Sequence, residues 1–311
     1  MRATTRLRQL LRSTPLVVPG CYDAMSARVL EQAGFPAVYM TGYGTSLALL
    51  GMPDAGLATM TEMHLNARYI ANAVDVPVIA DADNGYGNAI NVMRTVREYI
   101  HTGVAGVHIE DQVIPKRCGH VAGRRVIPLA EAVGKYRAAD AVRRDLDPDF
   151  VLIARTDARG AHGGSLDVAI ERANAYLEAG ADLAFVEGPT SEDEVRRVCG
   201  EVRGPIFYNQ TGVSPRLSLD QMKQLGIAVT ILPGAMLRAA LQALHDFAAA
   251  LKAEGPLAEA RFAERFRSHP LGDLHTFAGF DRIRAWEEAY LPAEELEKYE
   301  GSVGHQPSRR G

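Results

Sequence analysis

Eight short apolar runs recur along the chain, at residues 16–19, 37–40, 76–80, 104–109, 150–154, 183–186, 205–208 and 228–232. Each ends in polar or charged residues, and an amphipathic stretch of helical period follows, most clearly at 89–102, 129–145, 167–179 and 237–253. Continuous apolar strands alternating with helices indicate a parallel sheet covered on both faces. Eight such units predict an α/β chain closed into a (β/α)8 TIM barrel. The competing architecture, a doubly wound open sheet, wants a glycine fingerprint after its first strand, and Gly20-Cys-Tyr-Asp23 supplies none. Helix boundaries agree with this register. Ser191 with Glu194 and Ser218 with Gln221 have capping-box spacing, and Gly34 and Gly180 stand where helices end. Residues 1–255 are thus expected to form the barrel, with a surface helix flanking it at the N-terminus. Residues 256–300 read as a helical extension whose aromatics, among them Phe262, Phe266, Phe280, Trp286 and Tyr290, need burial somewhere. The polar segment 301–311 reads as a mobile tail.

In such barrels chemistry sits where the strands' C-terminal ends meet the loops that follow. The ends read Thr41-Gly-Tyr-Gly44, Asp81-Ala-Asp83, Glu110-Asp111, Arg155-Thr-Asp157, Glu187 and Asn209. Asp81 and Asp83 are two apart, so on an extended backbone they point the same way. Carboxylates converging with Glu110 repel one another unless a cation lies between them. Oxygen donors favour a hard ion, and Mg²⁺ keeps several waters while using few carboxylates. The loop after the fourth strand adds Lys116, Arg117, Cys118, Gly119 and His120. Cations beside a thiol stabilise its thiolate, so Cys118 is expected to be reactive with a lowered pKa. Residues 112–127 are long for a barrel loop and are expected to act as a lid that stands open without ligand.

These motifs, Gly51-Met-Pro-Asp54, Asp81-Ala-Asp83, His108-Ile-Glu-Asp-Gln112, Lys116-Arg-Cys-Gly-His120 and Ile153-Ala-Arg-Thr-Asp157, resemble the isocitrate lyase and phosphoenolpyruvate mutase superfamily over roughly residues 15–290. The Lys-Arg-Cys-Gly-His stretch is similar to that of the short-chain lyases acting on 2-methylisocitrate and 2,3-dimethylmalate. The resemblance implies retro-aldol cleavage of a 2-hydroxy di- or tricarboxylic acid to pyruvate or a similar keto acid. It implies Mg²⁺, with Mn²⁺ as the substitute, bound directly by Asp81 and through water by Asp54, Asp83 and Glu110. It also implies that Thr41, Gly42, Tyr43 and Arg155 grip the keto-acid half, while Gly119, His120, Glu187, Asn209 and Arg238 line the rest of the pocket. Cys118 is then the acid that protonates the departing carbon, with Lys116 and His120 beside it. Tyr39, or an acid in the metal's water network, takes the hydroxyl proton. A homotetramer, a dimer of dimers that exchange a barrel helix, is implied as well. Two features depart from the pattern: Tyr43 stands where methylisocitrate lyases have glycine, and Asn209-Gln-Thr-Gly-Val-Ser214 differs from their loop after strand seven.

Composition narrows the alternatives. A formal net charge of −4 gives no reason to expect nucleic acid as a partner, and no apolar run approaches membrane-spanning length. Three cysteines suggest a reducing compartment, hence the cytoplasm, and Cys21 and Cys199 read as packing residues. A Mg²⁺-dependent decarboxylase or C–P hydrolase on the same platform is the alternative enzyme, and it would not need Cys118. A catalytically silent binding protein is the third reading.

Overall fold

The computed structural model describes residues 1–13 and 15–308. Eight parallel strands close into one barrel in sequence order, each pairing with the next and β8 with β1. They are β1 Leu16–Cys21, β2 Val38–Met40, β3 Val78–Asp81, β4 Gly106–Glu110, β5 Val151–Thr156, β6 Leu183–Val186, β7 Ile206–Asn209 and β8 Ile227–Leu232. Helices intervene: α1 Ala3–Leu10 before β1, α2 Ala24–Gln32, α3 Gly42–Leu50, α4 Met60–Ala73, α5 Ala89–Thr102, α6 Leu129–Leu146, α7 Leu166–Glu178, α8 Glu192–Glu201, α9 Leu219–Leu225 and α10 Ala235–Glu254. The (β/α)8 barrel expected from the apolar rhythm is the observed fold.

Strand alternation decides what enters the barrel. Val38, Met40, Val78, Ala80, Val107, Ile109, Leu152 and Ala154 point outward into the layer covered by helices. Their neighbours Tyr39, Ile79, Val151, Ile153, Leu183, Phe185, Phe207, Val229 and Ile231 fill the interior. Continuing the inward parity by one step reaches Asp81 on β3, Glu110 on β4, Arg155 on β5, Glu187 just past β6 and Asn209 on β7. The apolar interior therefore ends in a polar layer at the strands' C-terminal ends, with one register shift, at Ile206/Phe207 on β7.

Helix α1 packs on the barrel through one face and leaves Gln9 exposed on the other. Leu7 is fully buried in the interior cluster, with Ala3, Leu10 and Leu11 packed against it. Arg8 ties the helix down through Asp182, at 2.8 Å, and the carbonyls of Asp149 and Phe150. The barrel needs an apolar stopper at its N-terminal end, and Leu7 supplies it. Of the two expected capping boxes, Ser218 with Gln221 forms completely. Ser191 accepts from the Glu194 amide, but the Glu194 carboxylate turns instead to Arg159 and the Thr190 amide. Gly34 and Gly180 both follow helices with positive φ, 88° and 112°.

The chain divides into two compact units, residues 1–240 and 241–311. Past α10, the second unit holds α11 Pro256–Arg267, α12 Leu274–Ala278, α13 Phe280–Tyr290 and a 3-10 helix at Ala293–Tyr299. Phe247, Phe262, Phe266 and His269 form a chain of ring contacts in it. The burial expected for its aromatics is not found within the chain: Phe262 is 40% exposed and Tyr290 81%. In the segment expected to be a mobile tail, the Ser308 amide donates to Asp281, while residues 309–311 lie outside the described residues. Replacing Leu7 with Ala should cost about 2–5 kcal/mol of stability, as for other fully buried leucines. Urea unfolding checks this, and a loss under about 0.5 kcal/mol, the range of surface substitutions, would show that α1 does not close the barrel.

Candidate active site

A ring layer floors the site. The Tyr39 hydroxyl shares a 2.7 Å hydrogen bond with His108 Nε2, and their rings stack with centroids 5.7 Å apart. Phe185 and Phe207 pack against the imidazole. Burial pushes His108 down to about 4, so the ring is neutral at pH 7. Burial, then the charge of Asp81, pushes the Tyr39 phenol well above its ordinary value. His108 was missed as a site residue because it lies inside the apolar run 104–109. The available signal was its position two before Glu110, which puts both side chains on the inward face of one strand.

Above the rings lie the acids. Asp81 Oδ1 is 3.6 Å from His108 Nε2, and Asp81 Oδ2 accepts the Gly42 amide at 3.2 Å. Gly42 is glycine for a reason of space, since a Cβ there would stand 2.4 Å from Asp81 Oδ2. Asp83 does not share a face with Asp81 through strand alternation. The strand has ended, and Asp83 adopts a left-handed φ of 47°. Its amide donates to Asp81 Oδ1 at 2.9 Å and its carbonyl accepts the Glu110 amide at 2.8 Å. Lys116 is buried from the opposite side, its ammonium in contact with Asp54 and 2.5 Å from Asp83. Burial would lower its pKa, but Asp83, Glu110, Asp54 and Asp81 outweigh that and hold it well above the lysine range. Burial raises Glu110 well above the carboxylate range and Asp83 to about 6. At Asp81 burial also raises the pKa, but Lys116, Arg155 and the Asp83 amide overcome it and hold the carboxyl low.

Arg155 joins the acids to the opposite wall. Its guanidinium meets Glu110 at 3.2 Å, Asp157 at 3.0 Å and Glu187 at 3.5 Å. Asn209 donates to Glu187 at 3.0 Å, and His120 Nε2 lies 3.7 Å from Glu187 and 3.4 Å from Asn209. Gly119 passes directly over this cluster, where a Cβ would be 2.5 Å from Arg155 Nη2 and 2.6 Å from Glu187. Thr41 caps α3 by accepting the Gly44 amide. The first turn of α3 spends its Gly44 amide on Thr41 and its Gly42 amide on Asp81, and its positive end faces the strand ends, a setting that favours an anionic ligand. Tyr43 stands on that turn, 44% exposed. Arg238 is exposed at the start of α10, where its amide donates to the Gly234 carbonyl at 3.1 Å and its side chain stands outside this network.

Residues 112–127 lie down over the site rather than open. The Cys118 amide donates to the Asp54 carbonyl at 3.0 Å, and Gln112 bonds the Arg117 backbone in both directions. The loop's two ends pair as a short antiparallel bridge, Gln112 with Val126. Cys118 corrects the expectation of a lowered pKa: burial pushes its thiol up to about 11, and the His120 amide and Arg155 recover only part of that. Lys116 and His120 spend their polarity on carboxylates, and Arg117 is exposed. The thiol is therefore protonated at neutral pH.

The donor set suits a hydrated divalent cation. Six carboxylates (Asp54, Asp81, Asp83, Glu110, Asp157, Glu187) meet the cations Lys116 and Arg155. Glu110 Oε1 is buried and accepts no hydrogen bond, a situation that costs about 1–3 kcal/mol or more for a charged group. Among the described residues no three potential ligands form a closed cage. Mg²⁺ does not need one, because it binds through one or two carboxylates and keeps its waters.

Comparison with known proteins agrees with this geometry. Residues 7–252 match the family described as phosphoenolpyruvate phosphomutase. A 2,3-dimethylmalate lyase of Eubacterium barkeri is 49% identical over 255 residues, 81% of this chain and 87% of that protein. A crystal structure of 2,3-dimethylmalate lyase, described as a PEP mutase/isocitrate lyase superfamily member, superposes with a TM-score of 0.87 at 37% identity, covering 98% of this chain and 99% of that one. A structure of oxaloacetate acetylhydrolase with 3,3-difluorooxalacetate gives a TM-score of 0.83 at 36% identity, over 92% and 96% of the two chains. The chain belongs to the phosphoenolpyruvate mutase/isocitrate lyase superfamily, as an enzyme of its carbon–carbon lyase kind.

Proposed function

We propose that this enzyme is a Mg²⁺-dependent lyase that splits the C2–C3 bond of a 2-hydroxy dicarboxylic acid of the 2,3-dimethylmalate type, giving pyruvate and propionate. The tricarboxylate 2-methylisocitrate is the nearest alternative substrate. The observation that carries this reading is Cys118, a thiol that burial keeps protonated, on a loop lying across the strand-end acids. A decarboxylase or C–P hydrolase leaves a pyruvate enolate that solvent can protonate, and so depends less on such an acid. The similarity to 2,3-dimethylmalate lyases favours that substrate.

Each group then has a task. Asp81 would hold Mg²⁺, with Mn²⁺ as the substitute, and Asp54, Asp83 and Glu110 would hold its waters. The ion supplies positive charge at the oxygens of the keto-acid half. Arg155 and the N-terminal turn of α3 at Thr41, Gly42 and Tyr43 bind that half's carboxylate, with the Thr41 amide itself held by the Cys21 carbonyl. The hydroxyl proton passes to the Tyr39 oxygen as the Tyr39 hydroxyl gives its own proton to His108 Nε2, 2.7 Å away. The C2–C3 bond breaks, its electron pair moves onto C3 and its carboxylate, and the Cys118 thiol returns a proton to C3. Lys116 fixes the loop to the acids, while His120, Glu187, Asn209 and Gly119 enclose the departing acid. Arg238 reaches this pocket only if its side chain turns from its exposed position. Exposed Phe262 and Tyr290 support a homotetramer built by helix exchange, and three free cysteines support a cytoplasmic setting.

The oxaloacetate acetylhydrolase likeness supports a second reading, because hydrated oxaloacetate is itself a 2-hydroxy acid that can break at C2–C3. A product assay with Mg²⁺ separates them. Keto-acid release from 2,3-dimethylmalate should exceed turnover of 2-methylisocitrate or oxaloacetate at least about tenfold in kcat/KM, the discrimination expected when a pocket fits one carbon skeleton better. Oxalate and acetate from oxaloacetate as the dominant products would favour the hydrolase, and CO₂ release would rule out the lyase.

Cys118→Ser should lower kcat by about 100-fold or more, since a hydroxyl is a much weaker acid, while pyruvate still binds. Wild-type turnover in this variant would remove the thiol from the reaction. Light scattering should give a mass near four chains, and a monomer at working concentration would contradict the tetramer.

A further inference from the structure

Asp157 is shared between two arginines that come from different parts of the fold. Arg155 on β5 holds it in a fork, Nε to Oδ2 at 3.0 Å and Nη2 to Oδ1 at 3.2 Å. Arg124, on the returning limb of the 112–127 loop, donates Nη1 to the same Oδ1 at 3.1 Å and Nη2 to the Gly160 carbonyl at 3.4 Å. The Asp157 side chain is fully buried and that of Arg124 is 10% exposed, so this contact is screened little. The Arg124 carbonyl also accepts the His162 amide at 3.0 Å. Gly160 makes room: a Cβ there would lie 2.1 Å from Arg124 Nη2.

Asp157 cannot drift to follow either partner. Its amide donates to Asp111 Oδ1 at 2.9 Å, and Asp111 is itself fixed by Thr156, Arg172 and Tyr176. The loop therefore touches Arg155 twice, in front through Gly119 and behind through Arg124 and Asp157. We infer that Arg124 is a positioning residue, a latch that couples the closed state of the 112–127 loop to the orientation of Arg155. When the loop lifts, Asp157 loses one of its two cations and Gly119 no longer covers the guanidinium, so the orientation of Arg155 is set by Asp157, Glu110 and Glu187 alone. Loop closure then sets the substrate-binding guanidinium and delivers Cys118 in one movement. This rests on the proposed lyase reaction only where turnover is the readout.

Two variants test it. Arg124→Met removes the charge. Gly160→Ala, at an exposed turn position, leaves the charge but fills the guanidinium's place. Hydrogen exchange of the free enzyme needs no substrate assignment. Both variants should speed exchange at the amides of Val113, Cys118, Val121 and Ile127 at least about tenfold, without changing exchange in α4 or α5, because local opening differs from global unfolding. Arg124→Lys should fall between Arg124→Met and wild type. With a turned-over substrate, kcat should drop about tenfold or more in both variants while KM changes less than about threefold, the pattern of an interaction made in the closed complex. If Arg124→Met does not fold, Gly160→Ala decides. Wild-type exchange in the loop for Gly160→Ala, or a rise spread evenly over the barrel, overturns the latch. Faster loop exchange with no turnover of any panel substrate keeps the latch and overturns the lyase reading.

Discussion

Too many carboxylates buried around too few cations is the constraint from which this site follows. Strand parity brings Asp81, Glu110 and Arg155 into one layer above an apolar barrel, and the β3 and β4 loops add Asp83 and Lys116. A single buried acid could neutralise itself by taking a proton, as Glu110 and Asp83 tend to do. Asp81 cannot, because Lys116, Arg155 and the Asp83 amide hold it ionised. The arrangement is thus prepared for one more positive charge, and for an anionic ligand whose own oxygens share it. The same low-dielectric setting that makes the cluster costly when incomplete makes it strong when filled.

The opposite wall works by a contrary logic. At Cys118 the question was whether neighbouring cations or burial would set the thiol. Burial wins, because Lys116 and His120 are already engaged with carboxylates and Arg117 points away. One side of the pocket therefore keeps charge, and the other keeps a proton. Retro-aldol cleavage needs that division, since the carbanion formed on C3 must meet an acid that the metal-side carboxylates have not already consumed.

Much of this was legible in the chain. The barrel was visible because its strands are buried on both sides and read as unbroken apolar runs, and the strand-end residues Asp81, Glu110, Arg155, Glu187 and Asn209 followed from where those runs stop. What was not legible depended on tertiary contact. His108 sits within an apolar run and only the barrel interior gives it Tyr39 as a partner. Asp83 is two residues from Asp81, yet it reaches the acid cluster through a left-handed turn rather than strand alternation. The stopper role of α1 needed the size of the barrel's lower opening, which no local pattern encodes. The thiol's raised pKa needed the partners of its neighbours. The role of Arg124 depends on Asp157, 33 positions away, which no local pattern pairs with it.

Calorimetric titration of Mg²⁺ into the wild-type enzyme and into Asp81→Asn tests the central claim, that the strand-end acids form a cation site, most directly. One saturable Mg²⁺ site per chain is expected in the wild type, and its loss is expected in the folded variant. No Mg²⁺ binding by the wild type, or equal binding by Asp81→Asn, would contradict it.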